Sequence, residues 1–132
     1  ELWNQERGFI LSSLKEKSKI IEEVLNQEGS GIHTQAVAGA MYAFPSLTMP
    51  QKAIAAAEAS GQAPDNMWCM ECLEETGVIC VPGSGFGQKD GTHHFRITIL
   101  PGQDPVTYAE DFRQIIQGVV DFNKRFLQRY AD

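Results

Sequence analysis

The sequence predicts an α+β fold, a two-layer sandwich in which a small three-stranded sheet is covered on one face by a long helix from each end of the chain. Two observations predict it. The first and last stretches carry apolar residues every three or four positions, the period of an amphipathic helix. Between them lie short apolar or alternating runs bounded by glycine and proline, as strands are. At 132 residues, one domain over 1–132 is expected.

Composition limits the classes of function. Apolar residues make up 42% of the chain and charged residues 21%, as in globular proteins. The net charge of −6 with only 11 basic residues argues against nucleic acid as a partner. No apolar run approaches the roughly 20 residues needed to cross a bilayer, so no membrane partner is expected. Three cysteines, an odd number, favour a reducing compartment over a disulfide framework.

The expected location is the cytoplasm. Mitochondrial and peroxisomal locations stay open, because targeting segments would lie outside this stretch. The chain begins at Glu1 without methionine and enters a helical pattern at once, which favours a piece cut from a longer protein.

The first predicted helix covers residues 1–28, and glycines at 29 and 31 end it. Its apolar positions recur at spacings of seven and four: Trp3, Ile10, Leu14, Ile21 and Leu25. A short apolar strand over 39–44 follows and is closed by Pro45. Pro50 then suits the first turn of a helix that ends near Gly61.

A further helix is predicted from Pro64 to Gly77, followed by a β-branched strand over 78–81 and a glycine-rich loop over 82–91. The third strand, 93–100, alternates: three apolar side chains should face the helices (Phe95, Ile97, Ile99), and three polar ones the other way (His94, Arg96, Thr98). Asp104 and Pro105 should open the last helix. Its apolar positions step by three or four: Phe112, Ile115, Val119, Phe122, Phe126 and Tyr130.

The glycine-rich loop suggests a nucleotide site, but its pattern does not support one. Gly83, Gly85 and Gly87 are spaced G-x-G-x-G, and a strand follows rather than the helix whose N-terminus would hold phosphate. The loop is better interpreted as a connection in which glycine permits positive φ, or as the flexible rim of a site.

The cysteine and histidine patterns favour structural roles. Cys69 and Cys72 have C-x-x-C spacing, but no second such pair exists and the stretch lies within a helix, so packing is expected and no metal site. His33, His93 and His94 have no identifiable nucleophile or acid beside them. Local hydrogen bonding is the expected role of His93 and His94, with proton transfer as the alternative.

Arg96 stands in the middle of a strand, where a permanently charged guanidinium needs a partner. One interpretation is a cross-strand ion pair or a solvated charge on the sheet face. The other is a rigid fork of N–H donors that grips a ligand carboxylate. Composition and spacing do not separate these two.

Three motifs taken together, GAMYAFP, LEETGVICVPGSGFGQ and GTHHFRITILP, resemble the C-terminal part of the alanine aminotransferases. These belong to the fold-type I pyridoxal-phosphate aminotransferases, together with the glutamate–glyoxylate enzymes. The resemblance extends over residues 4–130. It implies the small domain of such an enzyme, packed against a larger cofactor-binding domain that is absent from this chain.

The resemblance also implies roles for individual residues. Arg96 would bind the α-carboxylate of the amino-acid or 2-oxo-acid substrate, and Tyr42 would line the site. Ser84 and Phe86 would lie on the loop that borders the pocket. His93 stands where relatives often have tyrosine and receives no role.

No catalytic, cofactor-binding or metal-binding residue is expected in this stretch, because the family places the Schiff-base lysine and the ligands of pyridoxal 5′-phosphate in the large domain. No lysine of this chain lies in a segment that resembles the lysine motif: Lys15, Lys17, Lys19, Lys52, Lys89, Lys124. The first three are expected on the exposed face of the opening helix. The fragment alone is therefore expected to be inactive.

The full-length protein is expected to move an amino group between alanine and 2-oxoglutarate, or glutamate and glyoxylate, as a homodimer. The expected partners of this stretch are the substrate and its own large domain. The alternative is a stand-alone α+β binding module without catalysis, in which Arg96 meets a partner's carboxylate or a local glutamate.

Overall fold

The computed structural model describes residues 1–37, 41–102 and 104–131, and it shows the predicted mixture of helices and a small sheet. Residues Gly39 and Ala40 of the first predicted strand lie outside the described residues. The elements in chain order are α1 (Leu2–Leu25), β1 (Ile32–His33), β2 (Tyr42–Ala43), β3 (Ser46–Leu47), α2 (Gln51–Ala59), α3 (Pro64–Thr76), β4 (Val81–Pro82), β5 (Phe95–Thr98) and α4 (Tyr108–Arg129).

The main sheet has three antiparallel strands in the order β2-β5-β4, so β5 is central. Ala43 pairs with Ile97, and Val81 pairs with Arg96. The predicted alternation along β5 is confirmed, because Phe95 and Ile97 are buried and Arg96 between them is half-buried on the opposite face. A second pairing, β1 with β3, was not predicted.

The long helices α1 and α4 pack together over the inner face of the sheet. They run in the same direction, since contacts between them advance along both: Glu16 with Tyr108, Glu23 with Arg113, and Gln27 with Gln117. These two helices supply a large share of the core: Ile20, Ile21, Val24, Leu25, Phe112, Ile116, Val119, Val120, Phe122 and Phe126. Among the residues described, no helix is both long and apolar enough to cross a bilayer.

The predicted apolar stripe of α1 is wrong in its first half. Trp3 is 66% exposed and Ile10 is 54% exposed, whereas Ile21 and Leu25 are fully buried. The cause is the parallel packing, because α4 begins beside Glu16 and leaves the first turns of α1 without a covering element. The helix also ends at Leu25, three residues before the predicted boundary.

Lys17 is not on the exposed face of α1, which corrects the prediction for this lysine. Its side chain is buried, its Nζ donates to the carbonyl of Leu100 at 3.2 Å, and it lies 5.7 Å from the centre of the Tyr108 ring. Burial lowers the pKa of the Lys17 ammonium, because removal from water disfavours the charged form.

Element boundaries differ from the prediction at two further places. Of the four residues predicted as a strand over 78–81, only Val81 belongs to β4. Pairing with β5 determines the bounds of β4, which also includes Pro82. The last helix begins at Tyr108 rather than at Asp104. Asp104 still acts at the start of this segment, since its Oδ1 accepts from the amides of Val106 and Thr107.

A group of ion pairs joins α3 to the end of α4. The Arg129 guanidinium donates to the carboxylates of Glu71 and Glu75, and Arg125 Nε lies 3.2 Å from Glu75 Oε2. The hydrogen bond from Arg129, together with that from Arg125, lowers the pKa of the Glu75 carboxyl.

Replacing Glu75 by glutamine should lower stability at neutral pH but not at low pH. A lowered folded-state pKa means that the carboxylate stabilises the fold above its ordinary pKa of about 4.3, and that this contribution is lost as pH falls through the folded value. Because the pair is partly exposed, we expect about 0.5–1 kcal/mol at pH 7 and none near pH 3. Urea unfolding of Glu75→Gln across this range measures it. The exposed Glu74→Gln is the matched control, and a difference that persists at pH 3 would contradict the assignment.

Candidate functional site

The outer face of the sheet carries a cluster of aromatic side chains around Arg96. The Arg96 Cζ lies over the ring of Tyr42 at 4.6 Å from its centre, and over the ring of Phe86 at 4.8 Å. Phe86 contacts Phe44 edge-on, with 6.0 Å between ring centres. The structure thus brings together three of the four residues singled out as site residues: Arg96, Tyr42 and Phe86.

The guanidinium of Arg96 has no acidic partner among the residues that the structure describes. Each ion pair found within 4.0 Å there belongs to Arg113, Arg125 or Arg129. Aromatic rings attract a guanidinium through their faces but cannot accept its N–H groups as a carboxylate does. The arrangement therefore holds a positive charge in place and leaves it able to accept an anion.

The fourth site residue, Ser84, lies on a 3-10 turn formed by Gly83–Phe86. Its backbone amide contacts the interior of the fold. The Ser84 amide donates to Asp65 Oδ2 at 2.6 Å, and Asp65 is fully buried at the start of α3. Ser84 thus connects the turn that carries Phe86 to α3, and it is not part of the cluster around Arg96.

The glycines of this loop serve two different needs. Gly87 has a φ of 74°, as expected for a connection that requires positive φ. Gly83 does not have positive φ, and its need is space: a Cβ there would lie 2.5 Å from Gln88 Oε1 and 2.9 Å from the His94 carbonyl oxygen. The close approach of the loop to β5 requires glycine at this position.

The two adjacent histidines differ. His94 Nδ1 lies 2.9 Å from Gln88 Oε1, and its ring stacks on Phe44 with an interplanar angle of 3° and 5.0 Å between centres. This confirms the predicted hydrogen-bonding role for His94. The Nδ1 of His93 is buried and has no hydrogen-bond partner within the described ranges, so the predicted role is not found at that nitrogen. The His93 carbonyl accepts from the Leu47 amide at 2.8 Å.

A cleft of about 420 Å³ is lined by both strand and loop residues, among them His33, Tyr42, Phe44 and His94. Tyr42 is also one of the two residues whose rings hold the Arg96 guanidinium. No lysine lines the cleft in the part of the chain that the structure describes. Lys17 is buried against Leu100, beyond the end of β5. The described residues that line this cleft thus include no lysine that could form a Schiff base.

The three cysteines are free thiols buried in the core. Burial is the main cause that raises the pKa of Cys69 to about 12, so this thiol stays protonated at physiological pH. The prediction that Cys69 and Cys72 pack in the core is confirmed.

Comparison with known proteins identifies relatives for nearly the whole chain. It is 50% identical over 127 residues to alanine aminotransferase 2-like of Danio rerio, a match that covers 96% of this chain and 22% of that protein. It is 45% identical over 132 residues to the mitochondrial alanine aminotransferase 1 of Arabidopsis thaliana, covering 100% of this chain and 23% of that protein. No family model matches the chain.

Solved structures of aminotransferases also resemble the chain. An alanine aminotransferase from Pyrococcus furiosus superposes with a TM-score of 0.59 at 28% identity, covering 91% of this chain and 25% of that one. An aminotransferase from Escherichia coli shares the fold with a TM-score of 0.59 at 24% identity, over 90% of this chain and 24% of that one.

The fold and the matches together define the chain as a segment of an aminotransferase. More particularly, its homologues are the alanine aminotransferases, and it spans less than a quarter of the length of those curated relatives.

Proposed function

We propose that this chain is the part of a pyridoxal-phosphate-dependent aminotransferase that binds the substrate carboxylate. The full-length protein moves an amino group between alanine and 2-oxoglutarate, or between glutamate and glyoxylate. Arg96 binds the carboxylate that amino-acid and 2-oxo-acid substrates have in common, and Tyr42 and Phe86 hold its guanidinium. Ser84 positions the turn that carries Phe86.

The observation that supports this proposal is the guanidinium of Arg96, held by two aromatic rings with no acidic neighbour in the described residues. A half-buried arginine without a carboxylate of its own is costly unless an anion completes the site. A carboxylate suits it, because two oxygens can accept two parallel N–H groups of the planar fork. This two-point contact also fixes the orientation of the substrate.

The lengths of the relatives and the exposed apolar residues of α1 support a larger companion. The chain matches 22% of its Danio rerio relative, so a protein of that length would have more than three quarters of its residues elsewhere. Trp3, Ile10 and Leu11 are each more than half exposed, although such side chains favour burial. We infer that a cofactor-binding large domain covers this surface in the complete protein.

The remaining assignments of the complete protein follow from the same family. It acts as a homodimer, and pyridoxal 5′-phosphate is held by the large domain. A cytoplasmic location is proposed from the reduced cysteines, with the mitochondrion as the alternative because two similar Arabidopsis thaliana proteins are named as mitochondrial.

Titration of the 132-residue chain with pyridoxal 5′-phosphate tests whether the cofactor is bound by the large domain rather than by this chain. We expect no stoichiometric, saturable absorbance change, because no lysine lines the cleft beside Tyr42 and His94 in the described residues and the family places the Schiff-base lysine in the large domain. The complete protein, titrated in parallel, should bind one cofactor per chain.

A saturable band in the short chain that disappears when a single lysine is replaced would contradict the proposal. So would a natural gene in which no cofactor-lysine segment precedes this stretch, since the chain would then be a binding module. Sequencing the gene on both sides separates these outcomes directly.

A further inference from the structure

A chain of hydrogen bonds lies behind the Arg96 cluster and begins at a buried carboxylate. Asp65 is fully buried in the first turn of α3. Its Oδ2 accepts from the Ser84 amide at 2.6 Å and from Gln88 Nε2 at 2.9 Å, and its Oδ1 accepts from the Asn66 amide at 3.0 Å. Both oxygens of this buried carboxylate thus accept N–H groups.

The direction of these bonds determines which nitrogen of His94 carries a proton. Both Asp65 oxygens accept N–H groups in these contacts, so the Gln88 amide turns its NH₂ group toward Asp65 and its oxygen toward His94. That oxygen only accepts, and therefore Nδ1 of His94 must be the donor. In the neutral ring, Nε2 is then left as an acceptor.

The same chain is connected to Arg96 by ring contacts. The His94 ring stacks on Phe44, Phe44 meets Phe86 edge-on, and Phe86 lies under the Arg96 guanidinium. The turn that carries Phe86 is thus held at two points, by Asp65 through the Ser84 amide and by His94 through Phe44. The turn also packs closely against Gln88 and His94, since a Cβ added at Gly83 would lie within 3.0 Å of both.

We propose that Asp65 is a positioning residue for the carboxylate site, acting through the turn at Gly83–Phe86 and through the Nδ1–H tautomer of His94. This inference rests on the proposed function of Arg96. Without the carboxylate of Asp65 the turn loses its anchor, the Phe86 ring moves, and the guanidinium is no longer held in the orientation that receives the substrate. Substrate binding is affected, while the groups that carry out the chemistry are untouched.

The test uses the variant Asp65→Asn in the complete, cofactor-loaded protein, because it keeps the side-chain shape and removes the charge. We expect KM for the amino-acid substrate to rise about 10-fold with kcat changed by less than about 3-fold, since a misplaced binding group costs positioning. Asp90→Asn makes the same charge change on an exposed residue of the same loop and should leave both constants unchanged.

A second readout is the tautomer of His94, measured by NMR after labelling histidine with ¹⁵N. The unaltered protein should show the Nδ1–H form. Where the NH₂ group of the new asparagine in Asp65→Asn takes the place of Oδ2, it no longer accepts from the Ser84 amide or from Gln88. Gln88 then turns over and presents its NH₂ group to His94, so the Nε2–H form should appear. A general loss of stability would not move this signal from one nitrogen to the other.

Gln88→Met keeps the Ser84 anchor and removes both bonds of the Gln88 amide, to Asp65 and to His94. It replaces Asp65→Asn as the test variant if Asp65→Asn does not fold. It should lose the tautomer preference and raise KM by about 3-fold. An unchanged KM in Asp65→Asn overturns the inference, and if that variant does not fold, an unchanged KM in Gln88→Met does so. An Nε2–H tautomer of His94 in the unaltered protein also overturns it. These results leave the proposed function standing, because that depends on Arg96 itself.

Discussion

Replacing Arg96 by lysine should lower kcat/KM of the complete protein by roughly 30- to 1000-fold. Lysine keeps the charge but offers a single ammonium instead of the planar fork, so one of two parallel hydrogen bonds to the substrate carboxylate is lost along with the ring contacts. Buried charge-assisted contacts of this kind contribute roughly 2–4 kcal/mol to transition-state binding. Steady-state kinetics with alanine and with glutamate measure the loss.

Inhibition by a simple monocarboxylate shows whether the lost free energy belongs to binding. Propionate has the carboxylate but no amino group to transfer, so its inhibition constant should rise in Arg96→Lys as substrate binding weakens. Arg113→Lys is the matched control, since Arg113 makes an exposed ion pair with Glu23 on the helical side. An unchanged kcat/KM in Arg96→Lys would remove Arg96 from the substrate site.

Helix α3 shows how well local signals determine a boundary. Its predicted limits, Pro64 and Gly77, are those of the structure: proline occupies the first helical position, and Gly77 takes a φ of 75° just past the end. Both signals act through backbone geometry alone. The β1–β3 pairing has no such signal, because two-residue strands show no periodicity and exist only where the chain brings them together.

Lys17 shows where charge misleads. It lies three residues after Leu14 and four before Ile21, so the helical period places it on the apolar stripe of α1. Its charge suggested exposure instead. A long lysine stem can lie along apolar surface while its amine reaches a polar atom, and here that atom is the Leu100 carbonyl.

The candidate site could be predicted only in part. The alternation of β5 correctly places Arg96 opposite Phe95 and Ile97. The position of Phe86 depends on Asp65, which lies 19 residues before Ser84 in sequence. An aspartate after proline is an ordinary sign of a helix start, so nothing local indicated that it anchors a distant turn.

Asn123 is a further buried polar residue that the helical pattern did not predict, and replacing it by leucine should destabilise the chain strongly. It is almost fully buried in α4. Its Oδ1 accepts from Trp68 Nε1 at 2.8 Å, and its Nδ2 donates to the Ser30 carbonyl at 2.6 Å. One side chain thus connects α4 to α3 and to the segment after α1.

Leucine matches asparagine approximately in size but leaves the Trp68 N–H and the Ser30 carbonyl without this partner in the core. Each buried polar group left unpaired costs about 1–3 kcal/mol. We therefore expect Asn123→Leu to lower the free energy of unfolding by about 2–4 kcal/mol. Urea unfolding followed by tryptophan fluorescence measures it, and the fully buried Trp68 should supply most of the signal.

A double-mutant cycle with Trp68→Phe tests whether the loss comes from the Trp68–Asn123 hydrogen bond. Unfolding of all four proteins is followed by circular dichroism, because Trp68→Phe removes the indole that supplies most of the fluorescence signal. In the Trp68→Phe background the indole N–H is absent, so Asn123→Leu no longer leaves a buried donor unpaired. The destabilisation caused by Asn123→Leu should therefore be smaller by about 0.5–3 kcal/mol in that background. Gln114→Leu, an exposed amide on the same helix, should change stability by less than about 0.5 kcal/mol. Strict additivity of the two core variants would mean that the hydrogen bond between Trp68 and Asn123 does not contribute to the loss.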